Sequence, residues 1–234
     1  MQITLPNTNI PSKIEGDSVY SRVKSLIMSH KLPPEKRIRP EPLADQLRVS
    51  TTPVREALIQ LSAEKLIEDV PKAGFFIKDT SESEMRGLYM LNQSVLDLAL
   101  EIVSADNQLA GILKPPKFFE NPDHALTHSP DSIVATMQEL FIHIARQTGV
   151  DNITHIIGNI NDRTHYVRLE ECELNRNIVD CLAKMCRTYY QQDMKKLQAE
   201  LHHFHKNQIK LLPKVIRLIK QTQAGQVMLD QKAK

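Results

Sequence analysis

The segment Ser50–Leu61, which reads STTPVREALIQL, constrains the fold of this 234-residue chain more than any other. Its apolar residues recur at the spacing of one helix face, at Val54, Ala57, Leu58 and Leu61. This periodicity predicts a helix that packs one side against a core. Ser50 and Thr52 are both candidate N-caps, and Pro53 suits the first helical turn, where its missing N–H costs nothing. We therefore expect a helix that begins near Pro53.

The opposite face of this helix carries Thr51, Thr52, Arg55 and Ile59. An arginine in a first helical turn presents a fork of N–H donors that can reach guanine edges or phosphate oxygens. An ordinary amphipathic surface helix would show the same pattern. The neighbouring segments therefore have to decide between these two interpretations.

The segments before this helix predict two more helices. Asp17 or Ser18 can cap the first, and Leu32-Pro33-Pro34 ends it, because proline cannot continue a helix. A second, short helix is predicted over Glu41–Leu47. The gap Arg48–Thr51 has the length of the turn in a helix-turn-helix unit.

Two strands are predicted after the helix, at Leu66–Val70 and Phe75–Lys78. The segment Pro71-Lys72-Ala73-Gly74 joins them, and Gly74 can take the positive φ that a tight hairpin requires. Three helices followed by a hairpin constitute a winged helix-turn-helix domain.

This combination of motifs resembles the DNA-binding domain of GntR-family bacterial transcription regulators. The matching motifs are Leu43-Ala44, Val49-Ser50, Thr52-Pro53-Val54-Arg55-Glu56-Ala57-Leu58, Leu61, Leu66-Ile67 and Pro71-x-x-Gly74. The longer helical remainder, which has no enzyme-like sequence, resembles the FadR/FCD branch of that family. We accordingly divide the chain into an N-terminal tail (1–15), a winged helix-turn-helix DNA-binding domain (16–78) and an all-helical effector-binding and dimerisation domain (79–234).

The resemblance also implies which residues meet DNA. Arg55 matches a base-contact position of the family. Arg39, Arg48 and Lys72 are candidates for phosphate contacts, although solvated surface charge is an equally good interpretation of each. Thr51 and Thr52 can cap the helix, contact phosphate or do both. The wing, Lys72 to Gly74, is expected near the minor groove.

The chain departs from the family pattern at several positions. The family often has a basic residue in place of Thr51, an arginine in place of Ala73, and glycines in place of Glu35, Arg48 and Lys65. These differences alter the expected operator sequence rather than the mode of docking.

The distribution of charge agrees with a DNA-binding first domain. Residues 1–78 contain 12 Lys/Arg and 9 Asp/Glu, a net charge of +3, whereas residues 79–234 contain 18 and 19, a net charge of −1. The weak positive excess therefore lies on the part of the chain that would capture DNA electrostatically.

The cysteines and the N-terminus indicate where the protein works. Three cysteines, Cys172, Cys181 and Cys186, are odd in number and form no CxxC pair, which suits a reducing cytoplasm. Met1–Ser12 lacks the apolar core of a signal peptide, and no apolar run reaches the length of a membrane span. We expect a soluble, cytoplasmic, nucleoid-associated protein.

The second domain is predicted to be a helical bundle. A long helix, capped by Thr80–Glu84, runs to about Val103, and further helices span 132–147, 151–172, 175–191 and 193–212. Pro213 is expected to separate the last of these from a tail helix. Leu113–Asp131 contains four prolines and is predicted to be a loop, for which a position over a cavity mouth is one interpretation.

In many FCD-type regulators an aspartate and three histidines hold a metal inside this bundle, and small carboxylates bind beside it. The corresponding positions of this chain are apolar: Met137, Phe141, Leu182 and Phe204. Each lies on an apolar stripe of its helix, so the positions are predicted to point inward. We therefore expect no metal cofactor, and a cavity that is either packed shut or open to an apolar ligand such as an acyl chain or aromatic acid. The candidate polar anchors of such a ligand are Asn92, His143, Arg168 and His205.

Metal binding of the usual FCD type is the main competing interpretation. Glu139 and His143 are four residues apart and His202 and His205 three apart, so each pair could chelate from one helix face. Against this, the helix over 175–190 contains no histidine to complete the set. The sequence also leaves open a metal-dependent enzyme that uses the same four residues, and a DNA-binding protein without an effector. No G-x-S-x-G, phosphate-loop or H-E-x-x-H motif is present.

The sequence thus predicts a mainly α protein that is not an enzyme. We expect a homodimeric transcription regulator, a repressor, which binds double-stranded DNA at an inverted-repeat operator. We further expect it to respond to a small apolar or carboxylate effector, if its bundle cavity is open.

Overall fold

The structure, a computed structural model, describes residues 18–28, 36–105, 113–124, 126, 129–175 and 177–232, with side chains described up to residue 223. The chain divides into two compact units, one of residues 1–80 with 225–234 and one of residues 81–224. Each unit is built around hydrophobic side chains of its own. Among the described residues, none of the helices combines the length and the apolarity needed to cross a membrane.

The first unit is a winged helix-turn-helix domain, as predicted. Its elements are α1 (Val19–Met28), β1 (Arg37–Ile38), α2 (Pro40–Leu47), α3 (Thr51–Ala63), β2 (Ile67–Val70) and β3 (Gly74–Ile77). The core consists of apolar side chains from all three helices and the sheet, among them Val23, Leu43, Leu47, Val54, Leu58, Leu61 and Ile67. The inward positions that the sequence predicted for α3 are therefore confirmed.

The start of α1 agrees with one of the two predicted caps. Ser18 caps the helix, because its Oγ accepts a hydrogen bond of 3.2 Å from the backbone N–H of Ser21. The other predicted cap, Asp17, and the predicted helix stop at Leu32-Pro33-Pro34 lie outside the described residues.

The start of α3 differs from the prediction. The helix begins at Thr51, two residues before Pro53, which fits because the first turn of a helix has no internal partners for its N–H groups. Ser50 takes the extended N-cap conformation, with φ −71° and ψ 162°, but its side chain forms no cap hydrogen bond. The prediction that Thr52 caps α3 is wrong, since Thr52 already lies within the helix.

The wing is part of a three-stranded antiparallel sheet of order β1-β3-β2. Arg37 pairs with Phe76 on one side of β3, and Val70 pairs with Gly74 across the hairpin. β1 was not predicted, because a strand of two residues is too short to display a periodicity.

The second unit is helical, as predicted. Its helices are α4 (Glu82–Ala105), α5 (Pro130–Gln147), α6 (Asp151–Leu174), α7 (Ile178–Tyr190) and most of α8 (Met194–Lys232). The apolar stripes predicted for α5, α7 and α8 all lie in one hydrophobic core, to which they contribute Met137, Phe141, Ile144, Leu182, Met185, Tyr189, Leu197, Leu201 and Phe204.

The predicted break at Pro213 is wrong. α8 continues through this residue, although a proline inside a helix removes one hydrogen bond and costs roughly 3 kcal/mol. The residues around it explain why the helix persists: Leu212, Val215 and Ile219 are fully buried in a second hydrophobic cluster. Burial of three aliphatic side chains, at about 1.5–3 kcal/mol each, exceeds the cost of the proline.

The described part of the proline-rich segment before α5 is a loop with local helical turns, as the sequence predicted it to be a loop. It contains two short 3-10 helices, Lys117–Phe119 and Pro122–His124. Phe119 and Leu126 are buried in the core of the helical unit. Apolar packing thus holds the segment against the bundle, and its position over a cavity mouth stays a prediction.

Lys65, which follows α3, has a φ of +62° and lies in the left-handed region that favours glycine. A residue with a Cβ is strained in this conformation by roughly 1–2 kcal/mol, and glycine would relieve that strain. Glycine also makes the unfolded chain more flexible, which offsets part of the stability gained. We expect Lys65→Gly to raise the free energy of unfolding by about 0.5 kcal/mol. Lys65→Ala, which keeps the Cβ, should leave it unchanged. Urea denaturation compares the variants, and equal stability of the two would contradict the strain.

Candidate DNA-binding surface and interior effector site

The burial pattern of α3 fixes which of its side chains face solvent. Val54, Leu58 and Leu61 are fully buried, whereas Thr51, Thr52, Arg55 and Ile59 are exposed. The first turn of α3 therefore presents two hydroxyls and a guanidinium on an accessible surface. These are the groups that hydrogen-bond to phosphate and to base edges.

The turn between α2 and α3 depends on a left-handed residue. Arg48 has φ 54° and ψ 48°, and its N–H and that of Val49 bond to the carbonyls of Asp45 and Ala44 at 3.2 and 3.1 Å. The Arg48 side chain is exposed beside α3. The family often has glycine at the position of Arg48, and glycine adopts this left-handed conformation without strain.

Arg55 is held by an acidic side chain that the sequence analysis did not identify. Its Nη2 donates a hydrogen bond of 3.0 Å to Oε1 of Glu41, in the first turn of α2. The pKa of Glu41 lies below its usual value, because its own backbone N–H and then Arg55 hydrogen-bond to the carboxylate. The two side chains are 61% and 59% exposed, so water and salt weaken the pair.

The wing depends on Gly74. This residue has a φ of +100°, which confirms the predicted positive φ, and a Cβ added here would lie 3.5 Å from Nε and Nη2 of Arg37. Lys72 at the tip is exposed and also has a positive φ, +66°. The guanidinium of Arg37 is therefore a wing cation that sequence reasoning missed.

Two of the predicted DNA contacts have the acid Glu41 near them. Arg39 is exposed at the N-cap position of α2, and Glu41, two residues later, contacts Arg55. The charge of Arg39 also helps to lower the pKa of Glu41.

The interior of the helical unit contains a buried polar layer. Tyr89 of α4 donates a hydrogen bond of 2.8 Å from its hydroxyl to Glu171 of α6, and Gln208 of α8 donates another of 2.8 Å to the second oxygen of the same carboxyl. Burial raises the pKa of Glu171 to about 8. Arg168, one turn earlier on α6, is fully buried, with its Nη1 donating to Asn161 at 2.8 Å.

A second group of the layer joins α4 to α8 through His205. Its Nδ1 lies 2.8 Å from the carbonyl of Leu201, which can only accept, so Nδ1 carries the proton. Nε2 is then the acceptor for Asn92 Nδ2 at 2.8 Å. Burial lowers the pKa of His205 to about 4, and the ring is neutral at physiological pH.

Most of the predicted effector residues are brought together. Phe141 stacks on His205 at 5.6 Å between ring centroids, meets Phe204 edge-on at 6.3 Å, and lies 5.2 Å from the guanidinium carbon of Arg168. Met137 and Leu182 belong to the same hydrophobic core. His143 does not join this group: its Nδ1 pairs with the Tyr189 hydroxyl at 2.6 Å, beside Phe119.

The candidate metal donors Glu139, His143, His202 and His205 have separate surroundings. His143 pairs with Tyr189, His205 with Asn92, and the exposed His202 with Gln93 at 2.7 Å. Within the described residues, no three His, Cys, Asp or Glu side chains are grouped so that they could hold a metal ion. The convergence that a metal site requires is therefore not observed in this part of the chain.

The cysteines do not resemble nucleophiles. Burial raises the pKa of Cys172 and of Cys186 to about 12, and it also raises the pKa of Cys181. All three side chains are therefore neutral thiols at physiological pH, and the thiolate is the reactive form.

A winged helix-turn-helix domain in which α3 exposes an arginine is typical of DNA-binding transcription regulators. The family "Bacterial regulatory proteins, gntR family" matches residues 15–77. The uncharacterised HTH-type transcriptional regulator YdhC of Bacillus subtilis (strain 168) is 24% identical over 154 residues, 64% of this chain and 68% of that protein. The Nta operon transcriptional regulator of Aminobacter aminovorans is 26% identical over 147 residues, 61% and 68% of the two chains.

Solved structures show the same fold. E. coli McbR/YncC has a TM-score of 0.59 at 14% identity, over 84% of this chain and 95% of that one. A putative GntR regulator from Rhodococcus sp. RHA1 has a TM-score of 0.61 at 13% identity, over 84% and 96%. Residues 15–77 thus match the DNA-binding domain of the gntR family, and the chain is similar to bacterial transcription regulators. Its assignment to the FadR/FCD-like branch stays a prediction.

The Glu41–Arg55 pair predicts that Glu41 competes with DNA for the guanidinium. Glu41→Gln removes the competing charge, so we expect affinity for duplex DNA to rise about two- to fivefold at low salt and less at high salt. Glu68→Gln, on β2, changes the net charge equally without touching Arg55 and serves as the control. Fluorescence anisotropy with a labelled duplex measures both. A fall in affinity for Glu41→Gln would show that Glu41 positions Arg55 instead.

Proposed function

We propose that the protein is a homodimeric repressor whose two α3 helices enter successive major grooves of an inverted-repeat operator. The observation that carries this proposal is the exposure of Arg55 in the first turn of a helix whose opposite side is fully buried. The core fixes the helix, and so the arginine reaches a fixed point on the DNA. Thr51 and Thr52 in the same turn, with Arg39, Arg48, Lys72 and Gly74 around it, supply contacts to phosphates.

The wing adds a second contact. Lys72 and Arg37 place two cations at the hairpin, where Gly74 allows the backbone its positive φ. A wing of this kind lies near the minor groove, next to the groove that α3 enters. Since the bacterial chromosome is its target, we place the protein in the cytoplasm, at the nucleoid.

The dimer is supported by an apolar outer face on α4. Met90, Leu91 and Leu98 are 56%, 47% and 48% exposed, although the opposite side of the helix is buried in the core. At 100° per residue these three fall within one 100° sector, together with Gly87, which has open space above it. Apolar groups clustered on one exposed helix face indicate a protein partner. A second copy of this chain fits, because an inverted repeat requires two identical reading domains.

The helical unit is proposed to bind an effector without a metal. The support is the chemistry of the four positions where the family resemblance places metal ligands: Met137, Phe141, Leu182 and Phe204 offer no donor to a cation. A non-enzymatic role is supported by the similarity to transcription regulators and by the neutral thiols. A metal-binding regulator, a DNA-binding protein without an effector and a metal-dependent enzyme are the competing functions, and none has a specific observation in its favour.

Arg55→Ala tests the DNA-binding surface. A duplex selected by the wild-type protein from a random pool serves as the operator, and affinity is measured by anisotropy. A bidentate contact to a base predicts a loss of about 1–3 kcal/mol and relaxed specificity at one position. Arg146→Ala, an exposed residue of α5, removes the same charge and should change nothing. If Arg55→Ala bound the operator with the affinity of the wild-type protein, Arg55 would not be part of the DNA-binding surface.

Leu98→Glu tests the dimer. A carboxylate in the centre of an apolar interface has to be desolvated, so we expect the variant to be monomeric by light scattering and to lose its preference for the inverted repeat over a half-site. Ile156→Glu, at another exposed aliphatic residue on α6, is the matched control and should remain dimeric. A dimeric Leu98→Glu protein would mean that the copies associate elsewhere.

A further inference from the structure

Ile59 is the most exposed large hydrophobic side chain in the part of the chain that the structure describes, with 58% of its surface accessible. It lies on α3, whose other side is buried in the core of the first unit. Single exposed aliphatic residues are ordinary on protein surfaces. The location of Ile59 distinguishes it, because the exposed side of the same helix carries Arg55.

Ile59 lies near the middle of the exposed side of α3. At 100° per residue, it points about 140° away from Val54 and about 160° away from Leu61, which are both fully buried. It lies about 40° from Arg55 and about 20° from Thr52, and its direction falls between theirs. A helix that brings Arg55 and Thr52 to DNA therefore brings Ile59 to DNA as well.

The neighbours of Ile59 on this side of the helix are unsuited to phosphate. Glu56 is exposed and acidic, and Gln60 donates a hydrogen bond of 3.2 Å to Glu64, one turn further along the helix. An aliphatic side chain and a carboxylate offer phosphate oxygens no donor, whereas the predicted phosphate contacts Arg39 and Lys72 lie outside α3. The middle of α3 thus suits base edges rather than the DNA backbone.

The major groove limits what an isoleucine can recognise there. The C5 methyl group of thymine is the apolar group that the bases present in this groove, and their other recognition groups are hydrogen-bond donors and acceptors. Ile59 has neither a donor nor an acceptor in its side chain. It can gain free energy by packing against the methyl group, because both surfaces are then removed from water.

We propose that Ile59 reads a thymine in each half-site of the operator by packing against its C5 methyl group. The proposal rests on the proposed function, since it requires α3 to enter the major groove. Four residues at a rise of about 1.5 Å each separate Ile59 from Arg55 by about 6 Å along the helix, the length of about two base pairs. The thymine therefore lies within about two base pairs of the base that Arg55 contacts.

Replacement of thymine by deoxyuridine tests the contact on the wild-type protein. A duplex that the protein selects from a random pool serves as the operator, and each thymine is replaced in turn by deoxyuridine, which lacks the C5 methyl group. Burial of one methyl group corresponds to about a fourfold change in affinity, so one thymine of each half-site should show a loss of this size by fluorescence anisotropy. 5-Bromodeoxyuridine, in which a bromine takes the place of the methyl group, should restore the affinity. A scan in which no thymine matters overturns the contact.

Variants assign the methyl effect to Ile59. Ile59→Ala replaces an exposed residue by a better helix former, so the fold is retained, and it should bind the thymine and deoxyuridine operators equally. Ile59→Val should retain part of the preference. Ile156→Ala, at an exposed isoleucine of α6, is the matched control and should show the wild-type preference. A thymine preference that survives undiminished in Ile59→Ala belongs to another residue and overturns the assignment.

The outcomes separate this proposal from the proposed function and from a protein partner. If the wild-type protein enriches no duplex, the proposed function fails and the contact fails with it. If it enriches an operator but tolerates deoxyuridine at every position, the proposed function stands and the contact alone fails. A second copy of the chain is the competing occupant of this surface. In that case Ile59→Ala would change the oligomeric state in light scattering and keep the thymine preference, which would also overturn the proposal.

Discussion

The packing of α3 against the first core is the constraint on which DNA recognition depends. Val54, Leu58 and Leu61 are fully buried, and a helix turns by 100° per residue, so its rotation about its own axis is fixed within narrow limits. Arg55 and the two threonines face outward because these aliphatic side chains face inward. A change of register by one residue would turn the reading face away from the solvent. The orientation of the exposed face of α3 is therefore set by residues in the interior of the domain.

The sequence correctly predicted the elements that produce a recognisable pattern within one short segment of the chain. The periodicity of α3, the glycine of the wing and the apolar stripes of α5, α7 and α8 can each be recognised within a single segment. β1 was missed because its strand partner, β3, is nearly forty residues away along the chain. Pro213 was misjudged because burial of its neighbours outweighs a local propensity, and such burial is a tertiary property. The pair between Glu41 and Arg55 likewise depends on how α2 crosses α3.

In the interior of the helical unit, too, local patterns were predictable and tertiary contacts were not. That Met137, Phe141 and Leu182 point inward followed from spacing, but the polar layer beside them did not. A buried Glu171 or Gln208 looks like any surface residue in the sequence, and the hydrogen bonds that Glu171 accepts come from residues 82 and 37 positions away. Arg168 was selected as a candidate anchor, but its burial and its hydrogen bond to Asn161 could not be read from the sequence. The sequence could predict which helix faces pack, and the arrangement of donors required coordinates.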